Sequence, residues 1–289
     1  MNTAESRPSR SPDSDPYPPS EVMKELLYTH YARDGILAYL AKFDQDVDWI
    51  LTFPDEKRGS LVDIGILRHL VAGNIDIKPF RPDQLTNNGY DVRLGEHHLF
   101  HDGDYGDKSL RFMRSPIYNP NEPRSVRTAW GEPKRAASLK SHAERIDGAF
   151  GIDKLDLKGI EQEDLIILLE PGITMLGHTE EFIGGRRVVT TRISGNSTTG
   201  RHMLEICSDA NLGAVGFRSR WTLEITNKSL LSMTPLVVGQ VVATITFEEV
   251  EMPAQSYDGR YQEGRTIEEI EEAWVPEMMI PKPPRIIRG

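Results

Sequence analysis

Ser194-Gly195-Asn196-Ser197-Thr198-Thr199-Gly200-Arg201, followed by Gly216-Phe217-Arg218-Ser219-Arg220-Trp221-Thr222-Leu223-Glu224-Ile225-Thr226-Asn227, is the part of the chain on which its reading turns. The first segment is a flexible, hydroxyl-rich turn that ends in a fixed cation. The second places one carboxylate inside an apolar strand. Together they supply the parts of a site for a phosphorylated ligand. Glu224 either lies on the wet face of a half-buried strand or is buried at a cost that raises its pKa toward the range useful for proton transfer. Leu223 and Ile225 do not decide between these, because neighbours on a strand point to the opposite side.

Outward from these segments the pattern is mostly β. Leu110–Met113, Leu165–Leu169, Val188–Ile193, Met203–Ile206, Trp221–Thr226 and Leu236–Phe247 are short apolar or alternating runs split by Gly, Pro and Asn. Many short strands of this kind predict a mainly β sandwich or closed barrel. The stretch 102–164 is rich in charge, Pro and Gly and too long for a simple connection, so it is expected to hold an insertion. Residues 1–20 are Ser- and Pro-rich without apolar period and are expected to be a disordered tail. From Glu21, residues Met23, Leu26, Leu27 and Tyr31 recur at helical spacing, and a second helix is expected from Gly35 to Phe43. These form a helical extension over 21–58. A further helix is expected from Asp63 to Ala72, capped by Asp63 and Gly73, and a last helix and tail over 266–289.

The two quoted segments resemble the central motifs of the deoxycytidine triphosphate deaminase and deoxyuridine triphosphatase superfamily. There a Gly-Arg-Ser-Ser-x-x-Arg turn precedes a Gly-Phe-x-Gly-x-x-Thr-Leu-Glu strand. More of the chain resembles the deaminase branch: Ile75-Asp76-Ile77-Lys78-Pro79-Phe80, Gln84, Gly89-Tyr90-Asp91-Val92-Arg93-Leu94-Gly95, Glu170-Pro171-Gly172, Pro235 to Phe247, and Tyr257-Asp258-Gly259-Arg260-Tyr261-Gln262. The resemblance runs from Gly59 to Arg265. It implies a dUTPase-like distorted β-barrel or jelly-roll over 59–265 with a few short helices, to which the N-terminal helical segment is added.

The same resemblance implies hydrolytic deamination of a cytidine nucleotide, dCTP to dUTP and ammonia. Glu224 would act as general base and then acid. Ser197 would orient water or bind phosphate, and Arg201 would hold the phosphates or support charge at the reaction centre. Ala210 stands where the deaminases carry a small residue beside the base, and the backbone of Thr222 would read the cytosine edge. Tyr257, Arg260 and Gln262 belong to a segment that closes over the triphosphate. Magnesium is expected on the phosphates, held by ligand and water, and a homotrimer is expected with sites shared between subunits. Plainer readings stand beside these: Ser197 as an ordinary turn residue, Arg201 in a structural ion pair, Tyr257 and Tyr261 as aromatic anchors of a packed tail.

The chain also departs from the pattern. Asn196 replaces the Arg of the turn, Arg260 stands where the family has Lys, and Gly264 where it has Gln. Ala214 replaces the Asp that grips the sugar 3′-hydroxyl, with Asp209 nearby as a substitute. The triphosphatase branch needs that Asp, a Tyr at Phe217 and a Gly-rich aromatic arm, so pyrophosphate release alone is disfavoured. A modified cytidine nucleotide as substrate, or a non-catalytic nucleotide-binding regulator, are the alternatives.

Composition sets outer bounds. The 289 residues, 38% of them hydrophobic, suffice for one large or two small domains. No apolar run approaches the ~20 residues that cross a bilayer, and no secretory segment opens the chain, so a soluble cytoplasmic protein is expected. The single Cys207 excludes an intramolecular disulfide and the Cys-x-x-Cys zinc site of metal-dependent deaminases. A net charge of −10 argues against nonspecific nucleic-acid binding. Arg186-Arg187 and Arg218 with Arg220 are basic islands, suited to a small polyanion or lying at solvated strand ends. His97, His98 and His101, with Glu96 and Asp102, read as a polar loop after a strand rather than as metal ligands.

Overall fold

The computed structural model describes residues 16–54, 59–101, 118–142 and 157–287. Helices come first: α1 (Ser20–Thr29), α2 (Arg33–Lys42), α3 (Asp48–Leu51) and α4 (Asp63–Val71). Met23 and Leu27, one turn apart on α1, are fully buried, as is Ile36 on α2. Tyr31 falls beyond the end of α1, and its hydroxyl donates to the Ile77 carbonyl at 3.1 Å. The N-cap of α4 is Val62, not Asp63. Asp63 instead sits in the first turn, accepting from the Ile64 N–H and the Tyr39 hydroxyl. Gly73 does close the helix, at φ +70°, with its N–H on the Leu70 carbonyl.

The strands follow: β1 (Ile75–Lys78), β2 (Leu85–Thr86), β3 (Gly89–Arg93), β4 (His97–Phe100), then α5 (Pro123–Trp130), β5 (Lys134–Arg135), β6 (Ala137–Ser138) and β7 (Leu165–Leu169). After these come β8 (Thr174–His178), β9 (Phe182–Gly185), β10 (Val189–Gly195), α6 (Ser197–Arg201), β11 (Leu204–Ile206), β12 (Leu212–Gly213) and β13 (Thr222–Asn227). The chain closes with β14 (Thr234–Val237), β15 (Val241–Glu249), α7 (Ile267–Ala273) and a 3-10 turn, Pro276–Met279. Two five-stranded antiparallel sheets, ordered β12-β10-β15-β3-β2 and β11-β13-β8-β4-β5, carry most of the fold. The two-stranded sheet β1-β9 and the three-stranded sheet β14-β7-β6 complete a mainly β, jelly-roll-like arrangement.

One apolar cluster joins the helices to both large sheets. It runs from Met23, Leu27 and Ile36 through Leu61 and Ile66 to Leu223, Ile225, Ile245 and Phe247. A smaller cluster of Leu99, Leu176 and Met279, with Trp130 and Ile280 against it, lies on the other face of the β13-β8-β4 sheet. Two motifs of the sequence find structural work here. Arg93 and Gln84 both reach the fully buried Glu181, at 2.8 and 2.9 Å, satisfying a carboxylate that burial would otherwise penalise. At Gly95 a Cβ would fall 1.9 Å from the His178 ring, so only glycine allows that approach.

Several expectations need revision. His97–Phe100 is a strand, not a loop: the histidines are backbone-paired to β5, and Leu99 and Phe100 to β8. Arg218 is no surface cation. It is buried and bonded through Nη1 to Asp76 at 2.6 Å and through Nη2 to the Arg265 carbonyl at 2.6 Å. Arg220 lies between the rings of Phe182 and Trp274, with centroids 4.9 and 4.7 Å away. Arg187 donates to the Ala72 carbonyl at the end of α4. The expected tail 1–20 is described only from Pro16, and there Tyr17 packs edge-on against Phe53 and donates a hydrogen bond to Glu249. The expected strand 110–113 lies outside the described residues. Within the expected insertion, the described part holds α5, β5 and β6. No described helix is long and apolar enough to cross a membrane.

Candidate active site

Strict alternation on β13 sets the position of Glu224. Leu223 and Ile225 are fully buried in the main core, which turns Thr222, Glu224 and Thr226 to the opposite face. Antiparallel pairing with β8 puts Leu176 directly opposite Glu224 and His178 opposite Thr222. On the other side β11 pairs Ile206 with Ile225, and the chain then turns at Cys207, whose φ is +46°. The Cys207 N–H donates to the Glu224 carbonyl at 3.0 Å, and its thiol donates to the Thr222 carbonyl at 3.7 Å. These bonds hold the link 207–211 along β13, with Asp209 and Ala210 exposed on it.

Glu224 is therefore half-buried beside a second carboxylate. Desolvation by burial pushes its carboxyl pKa above the ordinary value, and the negative charge of Asp209 pushes it the same way. Burial also raises the Cys207 thiol to about 11, leaving it unreactive near neutral pH. His178 is fully buried and driven down to about 3, chiefly by desolvation. It stays neutral, with Nδ1 on the Thr179 carbonyl at 2.8 Å and Nε2 accepting from the His97 N–H at 3.2 Å.

The hydroxyl-rich stretch is a short helix, α6, not a flexible turn. Asn196 caps it by accepting from the Thr199 N–H at 2.8 Å, and the buried Thr199 hydroxyl ties it to the Val242 carbonyl of β15. Ser197 and Arg201 are exposed on it. Asp209 acts electrostatically on Glu224. One copy of the chain thus brings Glu224, Asp209 and Thr222 together and leaves Ser197 and Arg201 facing outward.

The tail residues dock on their own chain. The Tyr257 N–H donates to the Val215 carbonyl, and its ring lies edge-on to Phe217 at 5.4 Å. The Gln262 amide is engaged at both ends, accepting from the Arg218 N–H at 2.6 Å and donating to the Gly216 carbonyl at 3.1 Å. Arg260 donates to the Pro283 carbonyl at 3.0 Å. An open groove of about 460 Å³ runs between Ala214–Val215 and the tail, lined also by Ser256, Tyr257 and Asp258. Asp258 thereby shares a groove with Ala214, where the sequence pattern calls for a carboxylate. The signal for it was adjacency to Tyr257 alone. A cavity of about 590 Å³ lies elsewhere, between Tyr17, Phe53 and α4, and none of the candidate residues lines it. Among the described residues no three His, Cys, Asp or Glu side chains converge as metal ligands do.

Comparison with known proteins finds relatives of this chain. A family model described as dCTP deaminase-like matches residues 123–250. A protein named dCTP deaminase, dUMP-forming, from Leptospira biflexa is 34% identical over 204 residues, covering 70% of this chain and 90% of that protein. One of the same name from Clostridium beijerinckii is 26% identical over 199 residues, 68% of this chain and 88% of the other. The crystal structure of 2′-deoxycytidine 5′-triphosphate deaminase from Agrobacterium tumefaciens aligns at TM-score 0.42 and 15% identity, over 67% of this chain and 49% of that one. The chain belongs to the dCTP deaminase family, as a diverged member.

Proposed function

We propose that the protein hydrolytically deaminates a cytidine nucleotide, dCTP to dUTP and ammonia, with Glu224 carrying the protons. The observation that bears most weight is the setting of Glu224: half-buried, pushed toward its protonated form, and flanked on its own strand by the hydroxyls of Thr222 and Thr226. Such a carboxyl group accepts and returns protons near neutral pH. Water attacks C4 and gives one proton to Glu224, which passes it to N3. The second proton of the attacking oxygen moves by the same carboxyl to the amino nitrogen. The C4–N bond then breaks, ammonia leaves, and a C4 carbonyl remains.

Ser197 and Arg201 would complete the site from a second copy, the hydroxyl orienting water or phosphate and the guanidinium gripping phosphate oxygens with its planar fork. Their exposure supports a site shared in a homotrimer. Ala210 leaves room beside the base, and Asp209, which acts on Glu224, or Asp258, which lines a groove with Ala214, would receive the sugar hydroxyl. Tyr257 and Arg260 remain candidates for the triphosphate, whereas Gln262 would act through the loop it holds. Magnesium would arrive on the phosphates. A second reading, release of dUMP with pyrophosphate, is favoured by the names of the relatives and opposed by Ala214.

Purified protein with dCTP and magnesium is expected to release ammonia and shift the absorbance from cytosine to uracil, with dUTP on anion exchange. Recovery of dUMP and pyrophosphate selects the second reading. Binding without ammonia from dCTP, CTP, dCMP or 5-substituted analogues overturns catalysis in favour of a regulatory binder. For the shared site, inactive Glu224→Gln and Arg201→Ala chains produced together are expected to regain dCTP turnover. Failure to regain it in mixed oligomers places the whole site within one copy.

A further inference from the structure

The face that carries Glu224 is, among the described residues, packed by the C-terminal segment on its β4 and β8 part. From β4 inward its outward residues are His97 and Leu99, then His178 and Leu176 on β8, then Thr222, Glu224 and Thr226 on β13. The segment after Tyr257 packs on the β4 and β8 part of this face, and beyond it the Pro283 carbonyl accepts from Arg260 and the Lys282 N–H donates to the Tyr261 hydroxyl. The segment is anchored by Gln262 on the Gly216–Arg218 loop and by the Arg265 carbonyl on Arg218. A capping box at Thr266 and Glu269 starts α7, whose Ile267 and Ile270 pack on Phe182. Trp274 then lies on His178 at 4.7 Å, and the 3-10 turn sets Met279, 2% exposed, with Leu99 and Leu176 in one buried cluster. Leu176 is the cross-strand partner of Glu224, so the two side chains leave the sheet side by side. The whole strap lies beyond the segment 123–250 that the family model matches.

We propose that the Pro276–Met279 turn is a built-in wall of the site, and that Met279 is a positioning residue which, by sealing Leu176, excludes water from the β8 flank of the Glu224 carboxyl group. Substrate then has the β11 side, where Asp209 and Ala210 lie. The inference rests on the reading of Glu224 as proton carrier. The groups that face Glu224 are few. On its own strand they are the hydroxyls of Thr222 and Thr226, and from the 207–211 link, Asp209. From β11 comes Glu205, paired with Lys228 at 2.7 Å, and from β8 the neutral His178 beside Leu176. Glu277 on the turn is exposed. A dry apolar flank disfavours the charged carboxylate, the direction in which Glu224 is displaced.

The test compares wild type, Met279→Ala and Met279→Leu in protein carrying ¹³C-labelled glutamate, with Glu224→Gln identifying the Glu224 carboxyl signal. Met279→Ala is expected to lower the titration midpoint by roughly half a pH unit or more, the acid limb of kcat/KM for dCTP moving down with it, while Met279→Leu keeps the wild-type midpoint. An unchanged midpoint in a natively folded Met279→Ala overturns the proposal. Should that variant fail to fold, Met279→Gln, of similar length but hydrated at its end, makes the same comparison. A midpoint that moves while Glu224→Gln retains turnover supports the wall and sinks the proton-carrier reading instead.

Discussion

Glu224→Gln is expected to lower kcat for dCTP by roughly 10²–10⁴ while nucleotide still binds. The amide keeps the length and planarity of the carboxyl group but cannot cycle a proton between water, N3 and the departing nitrogen. The position tolerates the change. Glu224 is half-buried on the outward face of β13, makes no ion pair among the described residues, and keeps its backbone bonds to β8 and Cys207 whatever its side chain. Stability should hold or rise slightly at neutral pH. A carboxyl whose folded pKa is raised contributes stability below its unfolded pKa and loses it as pH rises through the folded value. Replacing it by a neutral amide removes that loss. The wild-type kcat/KM should climb with pH through a pKa above the ordinary 4.5 of glutamate, since only the carboxylate accepts the first proton. Turnover within a few-fold of wild type in the Gln variant would transfer the proton chemistry to another group.

Asp76→Ala is expected to destabilise the fold by about 3–5 kcal/mol, read as a fall in the urea midpoint at unchanged slope. Asp76 and Arg218 meet at 2.6 Å with side chains 10% and 7% exposed. Removing the carboxylate strands a guanidinium that burial has already stripped of water. Arg218 also holds the Arg265 carbonyl, and its N–H is held by Gln262, so the loss should loosen the C-terminal strap before the core. A second change distinguishes pair from packing. Arg218→Met added to Asp76→Ala should recover part of the loss, because the unpaired charge is gone. If Asp76→Ala alone shifts stability by less than about 0.5 kcal/mol, within the range of ordinary surface changes, the pair does not hold the strap.

The parts of this structure that were legible in the sequence are those set by local period. Alternation from Trp221 to Thr226 placed Leu223 and Ile225 on one face and Glu224 on the other, and Met23 with Leu27 announced the buried side of α1. Strands such as Phe182–Gly185 and His97–Phe100 were not legible. The first ends in two glycines and is buried throughout, and the second carries two histidines. Both are strands because partners supply their ladders, β1 for one and β5 with β8 for the other. Arg218 read as a ligand for phosphate because its partner Asp76 lies 142 positions away. Leu176 could not be matched to Glu224 without the register of β8 against β13, which a slip of one residue would reverse.

Asn227 ends the strand that Glu224 occupies, fully buried, with its amide donating to the Leu169 and Ser232 carbonyls while its oxygen accepts from the Ser229 N–H. A single side chain therefore ties β13 to β7 and shapes the loop 228–233 that leaves it. Leu230 and Leu231 in that loop stand 83% and 92% exposed. A buried polar joint thus holds out the two most exposed leucines among the described residues, and sequence drift in that loop should leave the strand below it in place.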